Sequence, residues 1–253
     1  MEADLKIFDV VDSTNISLAR MADEGAAEGT CVVSFSQRFG QGRSGRSFFS
    51  PDGGNLYMSL LLRPDDDAVT SMITVAAAAA TTGAIRSVFG IDTGIKWVND
   101  IILNDKKVCG IIAQAHNVGE GGYYVVLGIG INIYRSEEVP EDIAGIYGSL
   151  FDHACMFSAD KRKEDALRLA KEIIRRFSGY YECKGLGRCI DDYRKDCIVT
   201  GREVLYVSGD SVTEATAVGI TDTGAIILDV GGSRQVFRDG EIRIRIKDKN
   251  LAL

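Results

Sequence analysis

No two of the six cysteines form a C-x-x-C pair, and the chain has only two histidines, His116 and His153. A zinc site is therefore not expected. Cys31, Cys109, Cys155, Cys183, Cys189 and Cys197 are scattered and read as reduced thiols of a cytoplasmic protein. The histidines read as loop or surface residues rather than catalytic ones. No window reaches the ~18 uninterrupted apolar residues of a membrane span, so a membrane is not an expected partner. The opening "MEADLKIFDVVDSTN" starts with acids and lacks an apolar h-region, which argues against a secretory signal. Basic excess is missing too. The formal net charge is −7. A chain this acidic is a poor general binder of nucleic acid, and DNA is not expected as a partner.

What is present suits one large domain followed by a small one, at 253 residues with 45% hydrophobic and 26% charged. "LKIFDVV" reads as a strand, and "DSTNISLARMADEG" as a helix capped by Ser13 or Thr14 and stopped by Gly25. "TCVVSFSQ" and "NLYMSLLLR" read as strands on either side of a glycine-rich stretch. "AVTSMITVAAAAATTGAIRSVFG" predicts a long small-residue helix packed closely on a sheet. In "IILNDKKVCGIIAQAHN" a turn separates two apolar runs, which predicts a hairpin, and "GYYVVLGIGINIY" follows as another strand. A helix over 159–182 has its apolar stripe at Ala166, Leu169, Ala170, Ile173, Phe177 and Tyr180. After about residue 198 short strands alternate with "SGDS", "TDTG" and "GGS" turns, the pattern of a small closed barrel. The domains are therefore drawn as 1–197 and 198–253.

The stretch "FGQGRSG" contains a G-x-G-x-x-G at Gly40, Gly42 and Gly45. A dinucleotide fingerprint needs a helix after these glycines, and "RSFFSPDGGNLYMSLLLRP" supplies a turn and a strand instead. A kinase loop would need V-A-I-K, H-R-D and D-F-G downstream, and a Walker A loop would end in G-K-[ST]; neither is found. What remains is a loop with Arg38, Arg43 and Arg46. It is either a solvated surface loop or a cradle in which backbone N–H groups and guanidinium groups meet a small anion. A second stretch, "KWVNDIILNDKKVCG", holds Lys96, Trp97, Asn99, Asp100, Lys107 and Gly110. It is either a buried strand end with a solvated turn, or a strand that points Asn99 and Asp100 into a cleft that Lys107 reaches from the hairpin.

"DSTN", "SQRFGQGRSGRSFFSP", "NLYMSLLLRP", "KWVNDIILNDKKVCGIIAQ" and "GIGIN" occur in the order and spacing of biotin–protein ligases, and "GEIRIRI" resembles the closing strand of their small SH3-like barrel. The resemblance spans about residues 5–246. It implies an α+β fold: a mixed sheet flanked by helices, of the class II synthetase-like kind, with a C-terminal SH3-like β-barrel. Such ligases make biotinyl-5′-AMP from biotin and ATP with Mg²⁺, then pass biotin to a lysine of a carboxylase's biotin carboxyl carrier domain. With its first strand near Leu5, the chain resembles a monofunctional form without a DNA-binding domain. An exposed sheet edge in the large domain could pair two copies as a homodimer.

By position, the resemblance implies that Ser13, Thr14, Asn15 and Gln37 line the biotin end. Gly40, Gln41, Gly42, Arg43 and Arg46 would form a lid that orders over the adenylate. Gln41 stands where the family has arginine, a lost charge for which Arg38 could compensate. Phe48 matches an aromatic that stacks on adenine. Lys96, Trp97, Asn99, Asp100 and Asn132 match positions around the nucleotide. Val98 replaces a proline, and both residues suit extended backbone. Lys107 matches the lysine that contacts the biotin carboxylate and the α-phosphate. Gly110, Gly128 and Gly130 would let backbone lie against the flat ligand. Lys107 and Arg43 are the expected charge stabilisers, and Asp100 the group that orients or deprotonates the acceptor lysine. Two alternatives remain at this point: a lipoate–protein ligase, and a catalytically weak biotin-binding module.

Overall fold

The structure, a computed structural model, describes residues 1–53, 55–64, 67–118, 122–182 and 187–247. Cys183 and the last residues of the expected second domain, 248–253, lie outside the described residues. The chain forms strand β1 (Asp4–Val11), helix α1 (Thr14–Asp23), β2 (Thr30–Gln37), β3 (Leu56–Leu62), α2 (Asp67–Phe89), β4 (Gly94–Lys96), β5 (Asp100–Leu103), β6 (Lys106–Val118) and β7 (Gly122–Ile131). Then come α3 (Glu141–Ala144), α4 (Ala159–Tyr181) and α5 (Gly187–Asp196). The C-terminal part holds β8 (Glu203–Ser208), β9 (Ser211–Ile220), β10 (Ile226–Val230), β11 (Ser233–Phe237) and β12 (Arg243–Ile246).

Seven strands make one mixed sheet in the order β1-β2-β3-β7-β6-β5-β4. β1 runs parallel to β2 and the remaining neighbours are antiparallel. The β1–β2 crossover is α1, as a parallel pair requires. The two-residue turn Asn104–Asp105 has positive φ at both positions, 50° and 60°, which fits the twist of the β5–β6 hairpin.

Side chains alternate along each central strand, so the sheet has two different faces. Leu56, Met58, Leu60 and Leu62 of β3 join Cys109 and Ile111 of β6 and Val125, Leu127, Ile129 and Ile131 of β7 in the main core. α2 and α4 cover that face, with α5 packed beside α2. The alanine run of α2 is almost fully buried there. Met72–Phe89 of α2 is long and apolar enough to cross a membrane by length and composition, but 72% of it is buried inside the protein. It is the core helix that the alanine pattern predicted. On the other face Leu61, Val32 and Val126 meet Leu18 and Ala22 of α1 in a smaller cluster. Tyr57, Ser59, Gly110, Gly128 and Gly130 share that second face by register.

The five C-terminal strands form an antiparallel sheet in the order β11-β10-β9-β8-β12, with β11 and β12 at its edges. Val204, Ala217, Ile220, Ile226, Leu228, Ile244 and Ile246 of this sheet belong to the same core as the large sheet. Trp97 Nε1 donates to Gly224 O at 2.9 Å, and the Arg194 guanidinium of α5 donates to Ile220 O at 2.8 Å and to Asp222 at 2.7 Å.

Three features differ from the sequence expectation. Among the described residues the C-terminal strands leave β11 and β12 as edges and do not close into the barrel expected. Trp97, Val98 and Asn99 form the turn between β4 and β5, so Val98 is a turn residue and not part of a strand; the Trp97–Val98 peptide is cis. Helix α5 had no sequence signal. Only Cys189, Ile190 and Tyr193 of its ten residues supply an apolar face, and all three are buried.

The Trp97 indole N–H is buried together with the carbonyl it serves. Trp97→Phe removes the donor and leaves Gly224 O unsatisfied, a loss of about 1–3 kcal/mol. Urea unfolding should show a lower midpoint with an unchanged slope.

Candidate active site

One cavity of about 500 Å³ opens on the α1 side of the large sheet and extends under the C-terminal sheet. Its walls come from the α1 N-terminus, the 41–48 loop, the glycine face of β6 and β7, the β4–β5 turn, and β12.

One end is neutral and hydrogen-bonded. Gln37 Oε1 accepts from Thr14 N at 2.8 Å and from Thr14 Oγ1 at 3.1 Å. Gln37 Nε2 in turn donates to Ser50 Oγ at 3.0 Å. Ser59 Oγ donates to Asn15 Oδ1 at 2.6 Å and lies 2.8 Å from Thr14 Oγ1. Asn15 Nδ2 donates to Gln114 Oε1 at 2.7 Å. Beside this network the Ser13 hydroxyl lines the cavity, is buried and has no partner among the described residues. An unsatisfied buried hydroxyl is costly and points to a ligand group that completes it. The position follows from the fold: α1 begins at Thr14, and its N-terminus meets the open face of β3 and β7.

The other end is cationic. Lys107 Nζ pairs with Asp100 Oδ1 at 2.6 Å and sits 5.9 Å from the centroid of the Phe48 ring. The Lys107 backbone is pinned on both sides, donating to Ile146 O at 2.7 Å and accepting from Gly148 N at 2.9 Å. Arg43 donates through Nη1 to Asn99 Oδ1 at 3.2 Å and through Nη2 to Asp239 Oδ1 at 2.5 Å. Asn99 is itself fixed, since its Nδ2 donates to Ile111 O at 2.7 Å. Lys96 is 5% exposed and faces the cavity with no ion pair among the described residues. Burial, reinforced by the charges of Lys107, Arg245 and Arg46 and opposed by Asp100, pushes its amine down to about 8.

The 40–48 loop is closed on itself. Gln41 and Ser47 form a bridge, Gly42 N donates to Arg46 O at 2.8 Å, and Phe48 N donates to Gly40 O at 2.8 Å. A Cβ on Gly40 would lie 2.3 Å from Phe48 O, so only glycine allows this closure.

Most of the residues expected at the site line the cavity: Ser13, Thr14, Asn15, Gln37, Gln41, Gly42, Arg43, Arg46, Phe48, Lys96, Trp97, Asn99, Asp100, Lys107, Gly110, Gly128 and Gly130. Gly40 and Asn132 do not. Gly40 closes the base of the loop, packed against Phe48 O and Ser50 Oγ. Asn132 is buried outside the cavity and donates to Gly148 O at 2.9 Å, so it supports the segment that pins Lys107. The three strand glycines take protein side chains. A Cβ on Gly130 would lie 2.6 Å from the Phe48 ring, one on Gly110 2.9 Å from it, and one on Gly128 2.3 Å from Asn15 Oδ1. Arg38 is exposed and paired with Asp12 at 3.3 Å, away from the cavity, so it does not replace the charge missing at Gln41.

The sequence reading missed Tyr57, Ile143, Ile146, Arg243 and Arg245, which also line the cavity. A signal for the arginines was present. "RIRI" alternates, and β12 buries Ile244 and Ile246 while turning Arg243 and Arg245 outward. The alternation identified a strand but not which surface its arginines would face. No group of three or more His, Cys, Asp or Glu that could hold a metal occurs among the described residues.

Comparison with known proteins follows this geometry. The family model described as Biotin/lipoate A/B protein ligase family matches residues 7–132, and that of the Biotin protein ligase C terminal domain matches residues 199–245. The bifunctional ligase/repressor BirA of Bacillus spizizenii is 39% identical over 144 residues, covering 56% of this chain and 44% of that protein. The chain thus aligns with less than half the length of that relative. The biotin–[acetyl-CoA-carboxylase] ligase of Mycobacterium tuberculosis is 28% identical over 237 residues, 91% of this chain and 85% of that one. Among solved structures, biotin protein ligase from Aquifex aeolicus in complex with biotin and ATP superposes with a TM-score of 0.79 at 25% identity, covering 96% of this chain and 99% of that one.

A buried lysine with a lowered pKa carries a stability signature. Its ordinary value is 10.5 and its folded value about 8, so the folded state binds fewer protons between those limits, and stability rises with pH across that window. Below pH 8 the charged, buried amine is a burden of about 3 kcal/mol, at about 1.36 kcal/mol per pKa unit. Lys96→Met should therefore be more stable than the parent at pH 7, and by pH 10 the gap should shrink below about 1 kcal/mol. Urea titrations of both proteins at the two pH values check this. A gap that does not change with pH would mean that the amine is not buried in its charged form.

Proposed function

Because this chain belongs to the biotin/lipoate protein ligase family and carries the biotin protein ligase C-terminal domain, we propose that it joins biotin to a carrier-protein lysine through biotinyl-5′-AMP. The observation that carries this reading is the polarity of the cavity. A neutral hydrogen-bonding end with an unpartnered Ser13 hydroxyl leads to a cationic end built on Lys107, Arg43 and Lys96. Biotin has the same polarity, a neutral ureido ring at one end and a carboxylate at the other. ATP brings its phosphates to the cationic end.

In the first step a biotin carboxylate oxygen attacks the α-phosphorus. The new O–P bond forms as the bond to the departing pyrophosphate breaks. Negative charge gathers on the phosphoryl oxygens, and Lys107 and Arg43 are the fixed cations nearest that junction. Both are held in place beforehand, Lys107 by Asp100 and Arg43 by Asn99 and Asp239. Such preorganisation means that little has to move as the charge develops. Asp100 is engaged by Lys107, and we assign it to holding that amine rather than to taking the acceptor's proton.

In the second step the acceptor amine attacks the biotinyl carbonyl. The C–N bond forms, the anhydride C–O bond breaks, and AMP leaves with the bridging oxygen, the proton lost by the amine passing to the departing phosphate or to solvent. The closed 40–48 loop is placed to exclude water from this anhydride. The acceptor we propose is the carrier domain of a biotin-dependent carboxylase. Asp100 and Asp239, the carboxylates beside the reacting groups, are each paired to a cation. The residues present do not form a protein cage for Mg²⁺, and no step is assigned to it; Mg²⁺ commonly enters such sites on substrate phosphates.

Incubation with biotin and ATP, followed by mass detection of bound biotinyl-5′-AMP, tests the reading. Adenylate is expected with biotin, and Lys107→Ala should slow its formation by about 10²–10³. Adenylate formed with lipoate alone would move the assignment to the lipoate branch of the family. No adenylate with either acid would mark a binding module.

A further inference from the structure

We infer that Asp239, in the C-terminal domain, is a positioning residue for Arg43, so that the second domain sets how tightly the loop holds the activated intermediate. The inference rests on the ligase reading above. Arg43 reaches from the loop to the C-terminal domain, where its Nη2 donates to Asp239 Oδ1 at 2.5 Å, next to Gly240 of the cavity wall. Its Nη1 donates to Asn99 Oδ1 at 3.2 Å. A guanidinium is planar and has five N–H donors in a fixed fork. Two fixed acceptors on different elements define its plane, and the remaining donors are free for a phosphate.

The acceptor from the second domain is itself rigidly held. Asp239 lies in the turn between β11 and β12, where Arg238 N donates to Glu241 Oε2 at 2.7 Å and Glu241 N to Arg238 O at 3.3 Å. β12 is anchored by its ladder to β8 and by buried Ile244 and Ile246. The turn is thus fastened to the shared core.

The pair contributes orientation rather than stability. Its side chains are 30% and 36% exposed, and ion pairs at that exposure add little to folding. Lys107 is treated in the same way by Asp100. Each of the two cations placed at the reacting junction carries one carboxylate of its own, whereas Lys96, also in the cavity wall, has none among the described residues.

The test compares Asp239→Asn, Asp239→Glu and Asp222→Asn with the parent protein. Three quantities are followed: the rate of adenylate formation, the KM for ATP, and the rate at which preformed adenylate escapes, read as biotin on a bystander protein without a carrier lysine. Asp222→Asn is the control, because it removes another ion pair of the C-terminal domain, Arg194–Asp222 at 2.7 Å, neither partner of which lines the cavity. Asp239→Asn is expected to slow adenylate formation about tenfold and to raise escape about tenfold, with little change in KM for ATP and an unchanged melting temperature. A misplacement of about 1 Å can cost about 10²-fold, so a tenfold loss fits a smaller displacement of Arg43. Asp239→Glu should recover most of both rates, and Asp222→Asn should match the parent. Parental rates in Asp239→Asn would overturn the inference, as would equal losses in Asp222→Asn, which would trace the effect to domain docking. A parent that forms no adenylate at all would instead sink the ligase reading on which the inference stands.

Discussion

The two-faced character of the central strands is the constraint on which the rest depends. β3, β6 and β7 must bury a continuous apolar row beneath α2 and α4, and the same strands must leave their other face low enough for a cavity. Period-two alternation lets one sequence meet both demands. From Val125 onward the odd positions of β7 are Val125, Leu127, Ile129 and Ile131, all in the core. The even positions pass from Tyr124 and Val126, which seat α1, to Gly128 and Gly130, where the backbone is bare. Where the side chains stop, the cavity begins. Larger residues at those glycines would drive Asn15 and Phe48 out of their present places, so the floor, the hydrogen-bonded end and the loop are set by the same few positions.

The second constraint is that two domains close one cavity. The large domain supplies the neutral end, the loop and Lys107. The small domain supplies a wall of Arg243 and Arg245 and the carboxylate that meets Arg43. The seam that makes this possible is apolar in its interior and hydrogen-bonded at Trp97 and Arg194. Charge is distributed accordingly. A protein of net charge −7 gathers Arg43, Arg46, Lys96, Lys107, Arg243 and Arg245 around one space, with Asp100 the one carboxylate among the described residues that line it. The acidic remainder of the surface leaves that space as the place for small anions.

Much of this was legible in the sequence because the long elements are strongly patterned. The alanine-rich α2, the stripe of α4 and the "LNDKK" hairpin all fall where the periodicity puts them. Residues of the site that lie in one local stretch, such as Ser13 to Asn15 or Arg43 to Phe48, could be found by motif. What escaped depends on contacts between distant segments. Asn132, matched by resemblance to a position around the nucleotide, does not line the cavity and donates to Gly148 O, a partner that the local stretch does not reveal. Arg243 and Arg245 were visible as an alternation, but their destination depends on how the second sheet docks. The turn at Trp97–Asn99 was hidden because β-branched and aromatic residues favour strands, and only tertiary packing overrides them.

The shared core has a practical corollary for anyone who would dissect the molecule. Val204, Ile226, Leu228 and Ile244 are each below 5% exposed, and they share one apolar interior with Ile95, Trp97 and Ile101. A fragment ended near residue 198 would bare its greasy half of that interior to solvent and would tend to clump. The small sheet is therefore no detachable accessory. Truncation experiments that remove it would report on solubility before they reported on chemistry, and point substitutions along the seam are the sounder scalpel.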